Sequence, residues 1–303
     1  MSIFDKLFGR SKEATPPSPH AGAAPPRPPS GRKTIGLQLL FPGPMNLSSA
    51  SLQSVLHGYG GAASTATFAL DAAGIKKGTP FGRAQWGRHV VDIVGFDVPM
   101  SADVVEKVVA PAHYPQPLKA QARAHKGHLL LTYAGADKSP LEQYVAVAAV
   151  AGTLATAGAI VVANEAAMTS FPAQALDPRQ ITGDRFTYLR ELPLLILYMG
   201  FVKYDLENGP VWMRTYGGEK FGLPDLARST AGHHVAQKTM DMFMTVLGYM
   251  MDTGAKVESG HTLQISSQDF LGFRTPRKSE YFLSDHPNVL VVETIDASQI
   301  NKK

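Results

Sequence analysis

The sequence predicts an α+β fold: mixed, largely antiparallel sheet or sheets packed against helices, with a disordered proline-rich N-terminal tail. Three observations carry that prediction. Strand-like and helical stretches follow one another without a regular βαβ period. Hydrophobic side chains make up 44% of the 303 residues, a normal share for a packed core. Residues 14–31 read ATPPSPHAGAAPPRPPSG, whose seven prolines and small residues cannot build one.

The elements follow in order. TIGLQLLF (34–41) reads as a first strand ended by Pro42-Gly43-Pro44. A helix over Ser48–His57 is capped by Asn46 or Ser48. TATFALDA (65–72) reads as a second strand and HVVDIVGFDVPM (89–100) as a central one, being β-branched and apolar. Ser101 then caps a helix whose Val104, Val105, Val108 and Val109 share a face. Pro115–His125 forms another helix, and HLLLTYAG (128–135) is a buried strand. Ser139, Pro140 and Glu142 make an N-cap, a proline at the first helical position and a capping-box partner. That helix runs to near Thr156, Gly158 stops it, and AIVVA follows as a strand. The split matters, because Val145–Ala163 is 19 residues without a charge. Read as helix plus strand it is not a membrane span.

In the second half, LPLLILYMGFVKYD (192–205) and VWMRTYGG (211–218) flank the turn Asn208-Gly209-Pro210 and read as a hairpin. Val235–Asp252 is a helix with Ala236, Met240, Phe243, Leu247 and Met250 in register. Met242, Met244 and Met251 extend its apolar character, so it is expected to be buried nearly all round. Gly254 ends it. HTLQIS (261–266) and NVLVVETI (288–295) are the last strands. The organisation is then a tail (1–33), an N-terminal half (34–184) and a C-terminal half (185–303). The halves are either separate or one continuous domain across the linker-like DPRQITGD (177–184).

Composition narrows the function. The net charge is +4. Residues 1–33 hold six basic side chains and two acidic ones, so the body carries 23 of each and no net charge. It offers no global attraction for nucleic acid. There is no cysteine, which excludes disulfides, iron–sulfur clusters and thiolate chemistry in this chain. The start, MSIFDKLFGRSK, puts Ile3, Phe4, Leu7 and Phe8 on one face of a short helix with a basic fringe. That face could dock on a membrane or a partner groove. It is too short and too charged for a secretory signal, so a cytoplasmic location is expected.

Chemistry-bearing residues are sparse. His125 and His128 flank Gly127, which breaks the helix that would make them converge. His233 and His234 are adjacent, a poor geometry for one metal. FPGPMN (41–46) leads into a helix start where an anion could bind, but a turn plus cap explains it. No HExxH, GxSxG, P-loop, EF-hand or GxGxxG after a strand occurs, so no cofactor or metal is expected. The densest polar stretch is RTYGGEKFGLPDLA (214–227). Pro224-Asp225 could start a short helix. Arg214 and Asp225 are expected to pair structurally; alternatively Arg214 holds an anion bidentately. The candidate binding set is Arg214, Tyr216, Phe221, Asp225 and His261, joined by the N-terminal apolar face. A hydrolytic alternative would need Arg214, Asp225, Glu258 and His261 to meet.

Several of these pieces together resemble a bacterial family, the domain of unknown function 4261. They are HVVDIVGFDVPMS, HKGHLLLTY, RTYGGEKFGLPDLA and ESGHTLQIS, within about 35–295. The most specific part is TYG followed by FGLPDL, through the long helix to GHTLQIS. The resemblance implies an acidic residue where His261 stands, so this chain departs from the pattern there. No reaction or cofactor comes with the family. By analogy with bacterial accessory and immunity-type proteins, it implies work done by binding another protein. A protein-binding factor without catalysis therefore ranks first. A hydrolase of a small anionic or phosphorylated substrate ranks second, and a peripheral membrane adaptor third.

Overall fold

The computed structural model describes residues 34–207, 209–266, 270–285 and 288–296. The proline-rich tail, and with it Ile3, Phe4, Leu7 and Phe8, lies outside the described residues. Two compact units divide the described chain between Tyr198 and Met199. Both are helices on largely antiparallel sheets.

The first unit begins with β1 (Gly36–Phe41) and α1 (Ser49–His57), whose cap is Ser48, accepting from the Ser51 amide. Then come β2 (Thr67–Leu70), α2 (Ala72–Lys76), β3 (Phe81–Trp86) and β4 (His89–Phe96). A helical pair, α3 (Ala102–Val109) and α4 (Gln116–Arg123), leads to β5 (Gly127–Tyr133). After it run α5 (Pro140–Ala155), β6 (Val161–Asn164), β7 (Thr169–Pro172), α6 (Arg185–Arg190) and α7 (Leu194–Leu197). The seven strands pair antiparallel in the order β2-β3-β4-β5-β1-β6-β7. Strands β3 and β7 are additions to the sequence reading.

Alternation sorts the strand residues onto two faces. Leu37, Leu39, Val91, Ile93, Leu129 and Leu131 are buried, and α5 lies against β1, β4 and β5. As expected, Ser139 accepts from the Glu142 amide and Gly158 at φ +98° ends the helical run. The capping box is not completed: the Glu142 carboxylate accepts from Arg190, and the Ser139 amide donates to Asp137. From Tyr144 to Leu154 every residue of α5 is buried, a closeness that its Ala, Val and Gly side chains permit. The other face is covered only in part. Leu40, Val161 and Ala163 pack with Val105, Val108, Val109 and Ala122 of α3 and α4. Farther along, Phe81, Val94 and Leu130 sit side by side in register, with Phe81 57% exposed. The edge strand β2 is blunted by α1: the amides of Phe68 and Leu70 donate to Gln53 and Ser49 side chains.

His125 holds the end of α4. Its Nδ1 lies 2.8 Å from the Ala122 carbonyl, and its Nε2 accepts from the Met100 amide at 2.8 Å. A ring that accepts at Nε2 is neutral. Burial holds the pKa of His125 below the ordinary histidine value, and the same cause acts on His89. The unfolded chain therefore takes up these protons first as pH falls. Stability is full above about pH 6.5 and declines below it. Midpoints between pH 7.5 and 5.5 should fall for the first unit, and His125→Gln should flatten that slope.

The second unit opens with the hairpin β8 (Gly200–Asp205) and β9 (Val211–Tyr216), paired as read from the sequence. Its first arm starts at Gly200 rather than Leu192, because Leu194–Leu197 is helical. Next are β10 (Asp225–Thr230), α8 (Ala236–Thr253), β11 (Thr262–Gln264), β12 (Phe270–Arg274) and β13 (Val289–Ile295). The sheet order is β11-β12-β13-β10-β9-β8, antiparallel except for the β10–β13 pair. Residues 225–230 are thus a strand, not a helix start. Paired neighbours on both sides outweigh the local Pro-Asp signal.

Helix α8 is amphipathic rather than buried all round. Met240, Phe243, Val246, Leu247 and Met250 are buried, whereas Met242 and Met244 are half-buried and Tyr249 is exposed. Phe243 meets Phe201 edge-on at 6.2 Å. Gly254 at φ +69° closes the helix. Inside α8, a Cβ at Gly248 would find no atom within 4 Å. Gly248→Ala should stabilise the unit by about 0.8–1.0 kcal/mol, read as a higher denaturant midpoint.

The opposite face of this sheet carries Trp212, Ala227, Val289 and Val291 against Leu283 and Phe282. A 3₁₀ turn at Lys278–Leu283 supplies the last two. Arg274 clamps that turn: it donates to Glu280 twice at 2.7 Å and to Glu293 at 2.6 Å. The hydrogen bonds from Arg274 hold the Glu280 carboxyl below its ordinary range. The clamp sets the path of the chain that reaches Asp285.

Candidate functional site

Strand alternation puts Trp212, Arg214 and Tyr216 on one face of β9. The register sets Tyr204 opposite Trp212 and Ala227 opposite Arg214. Arg214 is fully buried, at 0% exposure. Its guanidinium lies over the Tyr216 ring, 4.3 Å from the centroid, a cation–π contact strengthened by exclusion of water. Nη1 donates to Asp285 Oδ1 at 2.5 Å, and the Tyr216 hydroxyl donates to Oδ2 at 3.3 Å. Tyr204 and Tyr216 share a short hydroxyl–hydroxyl hydrogen bond. Burial raises the pKa of the Tyr204 hydroxyl; the Arg214 charge opposes that shift, while Asp285 and Asp225 add to it.

Two nitrogens of Arg214, Nε and Nη2, are buried with no hydrogen-bond partner among the described residues. They carry three N–H donors. An unsatisfied buried donor costs about 1–3 kcal/mol, more when charged. A methionine would fill a similar volume without that cost. Among the described residues the carboxylate paired with Arg214 is that of Asp285, which is 50% exposed. The arrangement is an undercompensated cation stacked on the Tyr216 ring.

The structure redistributes the residues singled out in the sequence. Arg214 and Tyr216 do share a site. The expected Arg214–Asp225 pair is replaced by Arg214–Asp285. Asp225 is buried on the neighbouring strand, where its Oδ1 accepts from the Gly218 amide at 3.0 Å. Phe221 is half-buried at the end of the 3₁₀ turn Gly218–Phe221. His261 does not join them. It precedes β11, four strand positions from β9, a separation of roughly 19 Å at ordinary strand spacing. Its Nδ1 accepts from the Glu258 amide at 3.3 Å, and both residues are exposed. The hydrolytic set Arg214, Asp225, Glu258 and His261 therefore does not assemble.

The other histidines have local tasks. His128 bonds the Val98 carbonyl and stacks on Phe96. His233 Nε2 lies 2.6 Å from Asp205. Among the described residues no group of three His, Asp or Glu side chains could hold a metal ion, and no helix is long and apolar enough to cross a membrane.

Sequence reasoning missed two members of the cluster. Tyr204 was reachable, because the hairpin register opposes it to Trp212, two residues from Arg214. Asp285 lies 71 residues beyond Arg214, and no local pattern marks it. No curated protein and no solved structure matches the chain. A family match is confined to the second unit and takes in both Arg214 and Asp285: residues 214–293 match the model of the domain of unknown function DUF4261, the family whose motifs the sequence resembles.

Proposed function

We propose that the protein is a non-catalytic binding factor, accessory or immunity-like, that recognises a protein partner through the Arg214 cluster. One observation carries the reading: a fully buried arginine is retained with Nε and Nη2 unpartnered. Such a group costs stability and is suited to receive something. The separation of His261 and Glu258 from Arg214 favours recognition over hydrolysis. In the first unit, exposed Phe81, beside the half-buried Val94 and Leu130, offers apolar area of the kind protein partners cover. The bacterial cytoplasm as the place of action rests on the family resemblance and the cysteine-free composition.

Affinity capture from host lysate tests this, with the full chain beside its Arg214→Met variant. The expected result is a specific partner recovered with the native chain and depleted about tenfold or more with the variant, as for a central binding residue. Equal recovery by both chains, or hydrolysis of phosphorylated substrates that His261→Ala abolishes, would overturn the proposal.

A further inference from the structure

The reading above says where a partner is recognised; the same site also indicates the chemistry. We propose that the Arg214 cluster is an oxyanion receptor, in which a carboxylate or phosphate group binds the Nε–Nη2 edge of Arg214 and Asp285 acts as a built-in competitor. This inference rests on the proposed recognition role of the site.

The argument starts from the guanidinium. Its Nε and Nη2 hydrogens lie along one edge and project as a parallel pair. That spacing matches two oxygens of one carboxylate or one phosphate. These are the two nitrogens left without a partner, while Nη1 is held by Asp285. The whole of that edge is therefore unused, while the opposite nitrogen is engaged. The surroundings make an anion there worth more than in water. Tyr216 lies along the guanidinium face, and Tyr204 extends the aromatic wall through its hydroxyl contact with Tyr216. Charge interactions strengthen as the local dielectric falls.

Asp285 supplies the solvent side of the cluster and the opposition. Its carboxylate is half exposed, so the cluster meets solvent on that side. It also places a negative charge on the guanidinium that an arriving anion must share. Asp225 is the other nearby carboxylate, and one of its oxygens is committed to the Gly218 amide. A ligand oxyanion thus competes mainly with Asp285. Removing that charge while keeping the shape, as in Asp285→Asn, should tighten anion binding rather than weaken it. A purely structural Arg214–Asp285 tie forecasts the opposite: no anion binding by either chain.

Isothermal titration of the full chain with inorganic phosphate, and separately with acetate, tests the proposal, with chloride at matched ionic strength as the control. The native chain, Asp285→Asn, Arg214→Lys and Arg214→Met are compared, with folding checked by circular dichroism. The expected result is saturable binding of at least one oxyanion, tightened about tenfold by Asp285→Asn through loss of like-charge repulsion. Arg214→Lys should lose it, since an ammonium cannot present the paired edge. If only one Arg214 variant folds, that variant decides. Phosphate alone would identify a phosphoryl source, acetate alone a carboxylate source, and both the shared chemistry. No saturable binding by native chain and Asp285→Asn, both folded, would overturn the proposal. So would binding that the Arg214 variants leave unchanged. Partner capture lost with Arg214→Met while neither oxyanion binds would overturn the oxyanion assignment alone. Oxyanion binding with undiminished partner capture would uphold it and contradict the recognition role instead.

Discussion

Replacing Gly152 by alanine should destabilise the first unit by about 2–3 kcal/mol, near the upper end of ordinary overpacking costs. In an open helix interior the same change gains about 0.8–1.0 kcal/mol. The sign reverses because of what α5 touches. A Cβ on Gly152 would fall 2.0 Å from the Leu176 carbonyl oxygen and 2.3 Å from the Tyr59 hydroxyl. Those two atoms are themselves joined, Tyr59 donating to Leu176 at 2.9 Å. Neither is the loose end of a flexible side chain. One is backbone, and the other terminates a buried ring that packs on Phe186 at 5.4 Å. The helix must move away, or the bond must break and leave two buried polar groups unsatisfied. Trp86 in the first unit and Trp212 in the second are the protein's two tryptophans. Urea unfolding followed by fluorescence in a Trp212→Phe background therefore reports the first unit. Gly152→Ala should lower its midpoint, whereas Gly248→Ala should raise that of the second unit. A neutral or stabilising Gly152→Ala would contradict the close packing of α5.

Removing Asp285 should cost more than removing Arg214. Asp285→Ala leaves a fully buried guanidinium without a counter-ion, at a cost of about 3 kcal/mol, the lower end of the range for breaking a buried pair. The lower end applies because Asp285 is 50% exposed. Arg214→Met removes the buried charge and leaves a carboxylate that water can solvate. That change should stay within about 1 kcal/mol of the native chain. Midpoints of the second unit, read from Trp212 in a Trp86→Phe background, measure both. Equal losses would mean that the pair acts as an ordinary surface ion pair.

Much of the fold was legible because its signals are local. The Ser139 cap and Gly158 stop bracket α5, and the turn at Gly209-Pro210 joins β8 to β9. The spacing of Met240, Phe243, Leu247 and Met250 marks α8 with Gly254 behind it. What escaped depends on distant partners. Strand β3, FGRAQW, has a clean buried–exposed alternation, but Gly, Arg and Gln give it little apolar contrast. Strand β10 looked like a helix start, and only its pairing with β9 and β13 makes it a strand. Helix α8 carries methionines beyond its packed face, so composition overstated its burial.

The site was legible by half for the same reason. Arg214 and Tyr216 stand in a dense polar stretch, and strand alternation aligns them. Asp225 lies in that stretch too, and charge alone made it the natural mate of Arg214. The actual mate comes from the chain after the 3₁₀ turn, which the Arg274–Glu280 clamp holds against the sheet. His261 looked close in composition but sits at the far edge, because β12, β13 and β10 intervene.

The most direct test is a hydrogen-exchange footprint of a recovered partner on the full-length protein, read by mass spectrometry. The account expects added protection on residues 211–226 and 278–285, lost when Arg214 is methionine. Protection confined to the first unit, or to β11 around His261, would contradict it.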